Sequence, residues 1–205
     1  MSADDDARRL QTANPTGWFE DLYAEAEAGK ASVPWDQPHP QPHLVEWTSG
    51  TDGAGRRALV VGCGYGRDAE FLASLGYDVV AFDISPTGIA TVRARYPESK
   101  VEYVVADLLD PPAEWHHAFD LVVENMTVQA LPVDLHARAI ERVAWLTGST
   151  LLVLAVARDE GPAPDGPPWP LTPSEIEAFA CDGRPRARSG AITPGGWLSS
   201  CVNWP

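Results

Sequence analysis

Apolar and polar positions alternate between two periods along this chain. Short apolar runs at 58–61, 79–82, 101–105, 119–123 and 151–157 have the length of strands. The last is apolar throughout, as expected of a strand covered on both faces. Between the runs, apolar residues recur at helical spacing. Phe71, Leu72 and Leu75 share one face before Gly76, and Leu135, Ala139, Ile140, Val143 and Leu146 form a stripe over 133–146. A further helix is predicted over 86–96, opened by Pro86 and stopped by Pro97, and a short one over 173–180. Strands alternating with helices predict an α/β fold: a doubly wound, mostly parallel sheet with helices on both faces, in a single domain.

The flanks read differently. Residues 1–12 look like a frayed acidic lead, and 18–28 like an amphipathic helix with Trp18, Leu22 and Tyr23 on one side. Four prolines within 33–42 forbid a regular helix or central strand there, so an extended loop is expected before a short helix over 43–47. The division predicted is a helical lid segment over 1–50 and a core over 51–205. Beyond Cys181 the alternation fails, and the tail is expected to be poorly defined, with a short irregular hairpin or an uncovered edge strand.

Charge narrows the classes. The formal net charge of −14 speaks against a nucleic-acid partner, which calls for a basic footprint, and against an anionic membrane surface. The apolar run at 151–157 is too short to span a bilayer, and the acidic N-terminus lacks the apolar stretch of a signal peptide. Three cysteines without paired spacing suit a reducing, cytoplasmic compartment. Eight tryptophans, several outside the predicted core, suggest an aromatic-lined pocket for a small molecule. No metal-ligating cluster is expected, and the sequence does not indicate an oligomeric state.

The chemistry concentrates between the first two runs. Gly62, Gly64 and Gly66 follow the first run at alternate positions, where glycine permits left-handed backbone and close approach of a ligand. The second run delivers Asp83, 83 − 62 = 21 positions after Gly62, close to the roughly 20 expected of an acid that reaches a ribose. A dinucleotide site wants G-x-G-x-x-G; here the third glycine comes one residue early, and Asp68 at the start of the next helix is poorly suited to a diphosphate.

The segment G-C-G-Y-G resembles motif I, E/D-x-G-x-G-x-G, of the class I S-adenosylmethionine-dependent methyltransferases, with Val60 where that motif carries its acid. V-P-W-D-Q-P at 33–38, F-D-I-S at 82–85 and F-D-L-V-V-E-N at 119–125 are similar to segments of the thiol, halide and thiopurine methyltransferases, with Pro38 in place of a usual glycine. The resemblance covers 18–179 and implies a Rossmann-like fold, S-adenosyl-L-methionine as cofactor and a small-molecule acceptor, a thiol favoured and oxygen or nitrogen acceptors open. It assigns cofactor contacts to Gly62, Cys63, Gly64, Gly66 and Asn125, the ribose to Asp83, the adenine face to Ile84 and the adenine amine to Asp107 beside Leu108. The alternatives are an NAD-type oxidoreductase and a non-catalytic protein that keeps the cofactor pocket.

Methyl transfer from a sulfonium rests mainly on alignment, so a general base is needed only for a phenol or amine acceptor. Glu124 at a strand end and Asp36 in the proline-rich loop are the candidate catalytic carboxylates; His39, His43, His116 and His117 are weaker ones, with exposed loop roles expected. Trp18, Trp35 and Trp169 are expected to line the acceptor cavity, the last two from proline-stiffened loops that act as lids. The competing reading has these tryptophans as anchors and Asp83 as a helix cap.

Overall fold

The computed structural model describes residues 3–11, 16–180, 187–192 and 197–203 of the chain. Three helices come first: α1 (Ala3–Leu10), α2 (Trp18–Glu27) and α3 (Pro42–Trp47). The acidic lead therefore holds a helix. At eight residues it is marginal alone; it is held by burial of Ala7 in the cluster under α2 and by an Arg9–Glu25 ion pair. Then follow β1 (Arg57–Val61), α4 (Arg67–Ser74), β2 (Asp78–Asp83), α5 (Pro86–Arg95), β3 (Glu102–Val105), β4 (Phe119–Asn125), α6 (Val133–Leu146), β5 (Thr147–Val156) and α7 (Pro173–Ala178).

The strands form one sheet in the order β3-β2-β1-β4-β5, all parallel. Period-two alternation splits each strand between two cores. Ala58 and Val60 of β1 face Leu72, Ile89 and Val92 from α4 and α5, while Leu59 and Val61 face Ile140 and Val143 from α6. The sheet is thus covered on both faces, as the apolar runs predict.

The tail departs from expectation. β6 (Ala187–Ile192) and β7 (Trp197–Asn203) extend the sheet, β7 antiparallel to β5 and β6 antiparallel to β7. Backbone pairing with β5 is sufficient to place β7 without side-chain alternation.

α2 lies over the carboxyl ends of the parallel strands. Its Glu20 accepts hydrogen bonds from the Ser85 and Thr87 hydroxyls and, at 3.1 Å, from the Thr87 amide, and so caps the start of α5. Trp18, Leu22 and Tyr23 pack with Val33 and Tyr65 in a third apolar cluster. The chain leaves β1 toward β2 on one side and returns to β4 on the other. That reversal opens a crevice beyond the strand ends, the usual ligand position in such sheets. No helix among the described residues is long and apolar enough to cross a membrane.

Candidate active site

A cavity of about 830 Å³ occupies this crevice. Its inner wall comes from the ends of β1, β2 and β4 and the loop after β3; its outer wall comes from α2 and the proline-rich loop before α3.

The glycine turn after β1 is built as expected. Gly62, Gly64 and Gly66 have φ of +59°, +53° and +82°. A side chain at Gly62 would collide with Thr127, and one at Gly64 would meet the Trp35 indole at 2.9 Å. Those two positions bring the end of β4 and the proline-rich loop directly onto the turn. Cys63, also on the wall, is half-buried; desolvation pushes its thiol well above its ordinary pKa, with the Asp83 charge adding to the shift, which favours the protonated form.

Asp83 ends β2 and is buried. Oδ2 accepts from the Gly64 amide at 3.1 Å and from the Tyr23 hydroxyl at 3.4 Å, and Oδ1 from the Ser85 amide at 3.0 Å. Burial raises its pKa against the lowering effect of these donors. The cap of α5 is Ser85, whose hydroxyl accepts from the Gly88 amide, so Asp83 is not spent as that cap. Ile84, Asp107 and Leu108 stand on the same wall, and Asp107 Oδ1 accepts from the Leu109 amide at 2.8 Å.

At the other end of the crevice, Asp68 bridges three elements. Its Oδ1 accepts from the Gln41 amide of the proline-rich loop at 2.8 Å, and its Oδ2 from Asn125 Nδ2 at 2.9 Å. Burial raises its pKa, and Asn125 Oδ1 is buried without a partner. Met126 follows with φ +60°, the left-handed region that non-glycine residues rarely enter. That backbone turn sets Met126 and Thr127 on the cavity wall.

Two candidate carboxylates lie elsewhere. Glu124 is fully buried and is not part of the cavity wall. Its Oε1 accepts from the Thr127 and Val128 amides at 2.7 and 2.9 Å, which holds the turn after β4, and burial pushes its pKa up to about 7. Alternation explains this: Asn125 lines the cavity and Glu124, one position earlier, points to the opposite face of the sheet. Asp36 also stands off the wall, in a fork with Arg95 at 2.8 and 3.0 Å. The Arg95 guanidinium in turn lies 3.7 Å from the Tyr65 ring centroid.

The tryptophans divide. Trp35 lines the cavity and donates its indole N–H to the Tyr23 hydroxyl at 2.7 Å. Trp18 touches the cavity but is only 1% exposed and stacks on Phe19, so it is also a core residue. Trp169 is off the wall. Its amide donates to the Gln129 carbonyl at 2.7 Å and its indole lies across Gly166, which makes it an anchor; the adjacent Pro167 and Pro168 reach the cavity instead. His39 and His43 line the outer wall, whereas His116 and His117 lie outside it, His116 stacked on Trp145. Tyr23 and Asp68 are participants that sequence reasoning did not select. Tyr23 carried only a helix-face signal, and the Asp68–Asn125 contact spans 57 positions.

Comparison with known proteins gives the class. A family model described as a methyltransferase domain matches residues 58–148. Over 184 residues the chain is 32% identical to a probable thiol methyltransferase 2 of Arabidopsis thaliana, covering 86% of this chain and 77% of that protein. A ubiquinone biosynthesis O-methyltransferase of Xanthomonas oryzae pv. oryzae is 34% identical over 131 residues, covering 59% of this chain and 55% of that protein. Among solved structures, a 1,6-didemethyltoxoflavin-N1-methyltransferase of Burkholderia thailandensis, with bound 1,6-didemethyltoxoflavin and S-adenosylhomocysteine, superposes with a TM-score of 0.66 at 18% identity, covering 94% of this chain and 91% of that one. The chain belongs to the S-adenosylmethionine-dependent methyltransferases.

The donor set fits that cofactor. S-adenosylmethionine presents an ammonium, two ribose hydroxyls and an adenine amine, all hydrogen-bond donors, and a cationic sulfur. The cavity's inner wall answers with acceptors: Asp68, Asp83, Asp107 and the unpartnered Asn125 Oδ1. The cofactor supplies an activated methyl group, and the chain's own residues bind, orient and exclude water.

Proposed function

We propose that this enzyme methylates a small, largely apolar molecule on a soft nucleophile, a thiol first among them. In this reading Asp83 takes the ribose hydroxyls, Asp107 and Leu108 the adenine edge, Ile84 its face, and the glycine turn with Cys63 the methionine part. Trp35, Met126, Leu131, Pro167 and Pro168 enclose the acceptor, and the segment before β1 serves as the lid.

The observation that carries the reading is the position of the two candidate carboxylates, neither of which stands on the wall; of the candidate bases, His39 and His43 do. Glu124 is committed to two backbone amides behind the wall, and Asp36 to Arg95 outside it. The wall's acids, Asp68, Asp83 and Asp107, each already accept a backbone N–H. An acceptor that ionises near neutral pH needs no proton removed in the transition state, and a thiol, with a pKa of about 8.5, meets that condition far better than a phenol or an alkylammonium. The outer wall combines four aromatic rings and three prolines with Gln37, Gln41, His39 and His43, which suits an acceptor with an apolar body. The name of the Arabidopsis relative points the same way.

The test is turnover with S-adenosylmethionine and matched aromatic acceptors that differ only in the nucleophile: thiol, phenol and aniline. Production of S-adenosylhomocysteine fastest with the thiol, rising with its ionised fraction, is the expected result. Turnover of the phenol or aniline with none of the thiol overturns it.

A further inference from the structure

We propose that Asp68, together with Asn125, is the counter-charge for the ammonium group at the amino-acid end of the cofactor. The strand order supplies the first argument. Asp107 follows β3 and Asp83 ends β2, so a ligand with adenine at the first and ribose at the second extends next to the β1–β4 junction. Asp68 and Asn125 stand on the cavity wall at that junction, 2.9 Å apart through Asn125 Nδ2.

The second argument is the balance of charge. Asp68 is half-buried, yet its two hydrogen bonds come from neutral donors, the Gln41 amide and the Asn125 side chain; no Lys, Arg or His is ion-paired to it among the described residues. A carboxylate withdrawn from water without a cation is costly unless a ligand brings one. Arg67, its neighbour in sequence, turns away to the Gln37 carbonyl and the Tyr96 hydroxyl. The third is Asn125 Oδ1, a buried acceptor with no partner beside that carboxylate. A primary ammonium has three donors and one charge, which would satisfy both.

The end of β1 offers no competing charge. Val60, buried on the same wall, stands where the motif that this turn resembles carries an acid. The negative charge enters instead from the far side of the glycine turn, at the start of α4. Because Asp68 also accepts the Gln41 amide, the same carboxylate ties the lid loop to the cofactor's charged end.

The inference rests on the cofactor, not on the acceptor, so it is tested by binding alone. S-adenosylhomocysteine carries the ammonium; methylthioadenosine shares the nucleoside and thioether but lacks it. Calorimetric titration of both into the wild type and Asp68→Asn is expected to show S-adenosylhomocysteine weakened on the order of tenfold or more, the scale of a lost charge-assisted hydrogen bond, with methylthioadenosine changed by less than about twofold. Equal weakening of both ligands, or of neither, overturns the proposal. If Asp68→Asn does not fold, the same ratio is read on Asn125→Ala, where a selective loss for S-adenosylhomocysteine supports the proposal and an unchanged ratio overturns it. A wild type that binds neither ligand overturns the cofactor reading itself.

Discussion

Trp35 donates its indole N–H to the hydroxyl of Tyr23 at 2.7 Å, and that hydroxyl stands 3.4 Å from Asp83 Oδ2. A residue of the proline-rich loop is thereby joined, through one buried phenol on α2, to the carboxylate at the end of β2. Burial, reinforced by the Asp83 charge, raises the Tyr23 pKa well above its ordinary value, so the phenol remains a neutral donor toward that carboxylate. Asp83 then faces both the cavity and the lid.

Tyr23→Phe removes only the hydroxyl of this chain of contacts. Trp35 loses its acceptor and Asp83 one of its donors. Affinity for S-adenosylhomocysteine is expected to fall by about 1 kcal/mol, the ordinary worth of such a hydrogen bond. Turnover falls further because the lid is less well held, and calorimetric titration beside steady-state rates separates the two effects. Trp169→Ala provides the contrast. Its indole packs on Gly166 away from the cavity, so the melting temperature falls while the KM for S-adenosylmethionine of the folded enzyme is retained.

Asp36→Asn tests the fork to Arg95. Both side chains are about one-third exposed, at 32% each, and solvent screening limits the stability cost to less than about 1 kcal/mol, smaller still at high salt. The shape of the pH–rate profile is expected to stay that of the wild type. Loss of a limb from that profile would return Asp36 to the role of base.

Glu124 gives a prediction with a definite sign. Its folded pKa is pushed from an ordinary 4.5 up to about 7 by burial. The folded state therefore holds a proton that the unfolded state releases, and stability attributable to this group is lost as pH rises between those values. Glu124→Gln keeps an acceptor for the Thr127 and Val128 amides and cannot ionise. The wild type minus Glu124→Gln difference in unfolding free energy is expected to decline by on the order of 2–3 kcal/mol from pH 4.5 to pH 7 and then level off. Denaturant melts at several pH values measure it; a flat difference would mean that the carboxyl ionises freely in place.

β7 is paired on both sides, to β5 and to β6. Its amides are expected to exchange slowly with solvent, and those of β6 faster, since β6 has a sheet neighbour on one side only. Mass-spectrometric exchange over 187–203 reads both; fast exchange throughout contradicts the pairing.

The central unit was legible because its signals are local. An apolar run, alternate glycines, a helical stripe and an acid at 83 all lie within one short stretch, and each constrains backbone rather than partners. Glu124 stands behind the wall by one position of phase. Strand ends do point into the crevice, but alternation sends Asn125 there and Glu124 behind. The pairing of Asp36 was not legible because Arg95 lies 59 positions away, beyond any periodicity. β6 and β7 left little trace because backbone pairing to an existing sheet edge places a strand without a two-residue pattern of side chains.

The order β5-β7-β6 carries a consequence for the route by which the sheet is completed. β6 precedes β7 in the chain, yet among the described residues its only neighbour in the sheet is β7. Once made, β6 has nothing in the finished core to pair with until the following strand arrives. The two must either zip into a hairpin first and dock as a unit, or β7 must add to β5 and recruit β6 afterwards. In both cases the hairpin completes the sheet next to β5, whose carboxyl end leads into the loop that carries Pro167 and Pro168 to the cavity. A mutation in the hairpin would act on the sheet edge beside that loop, at a distance in sequence from every glycine and carboxylate named above.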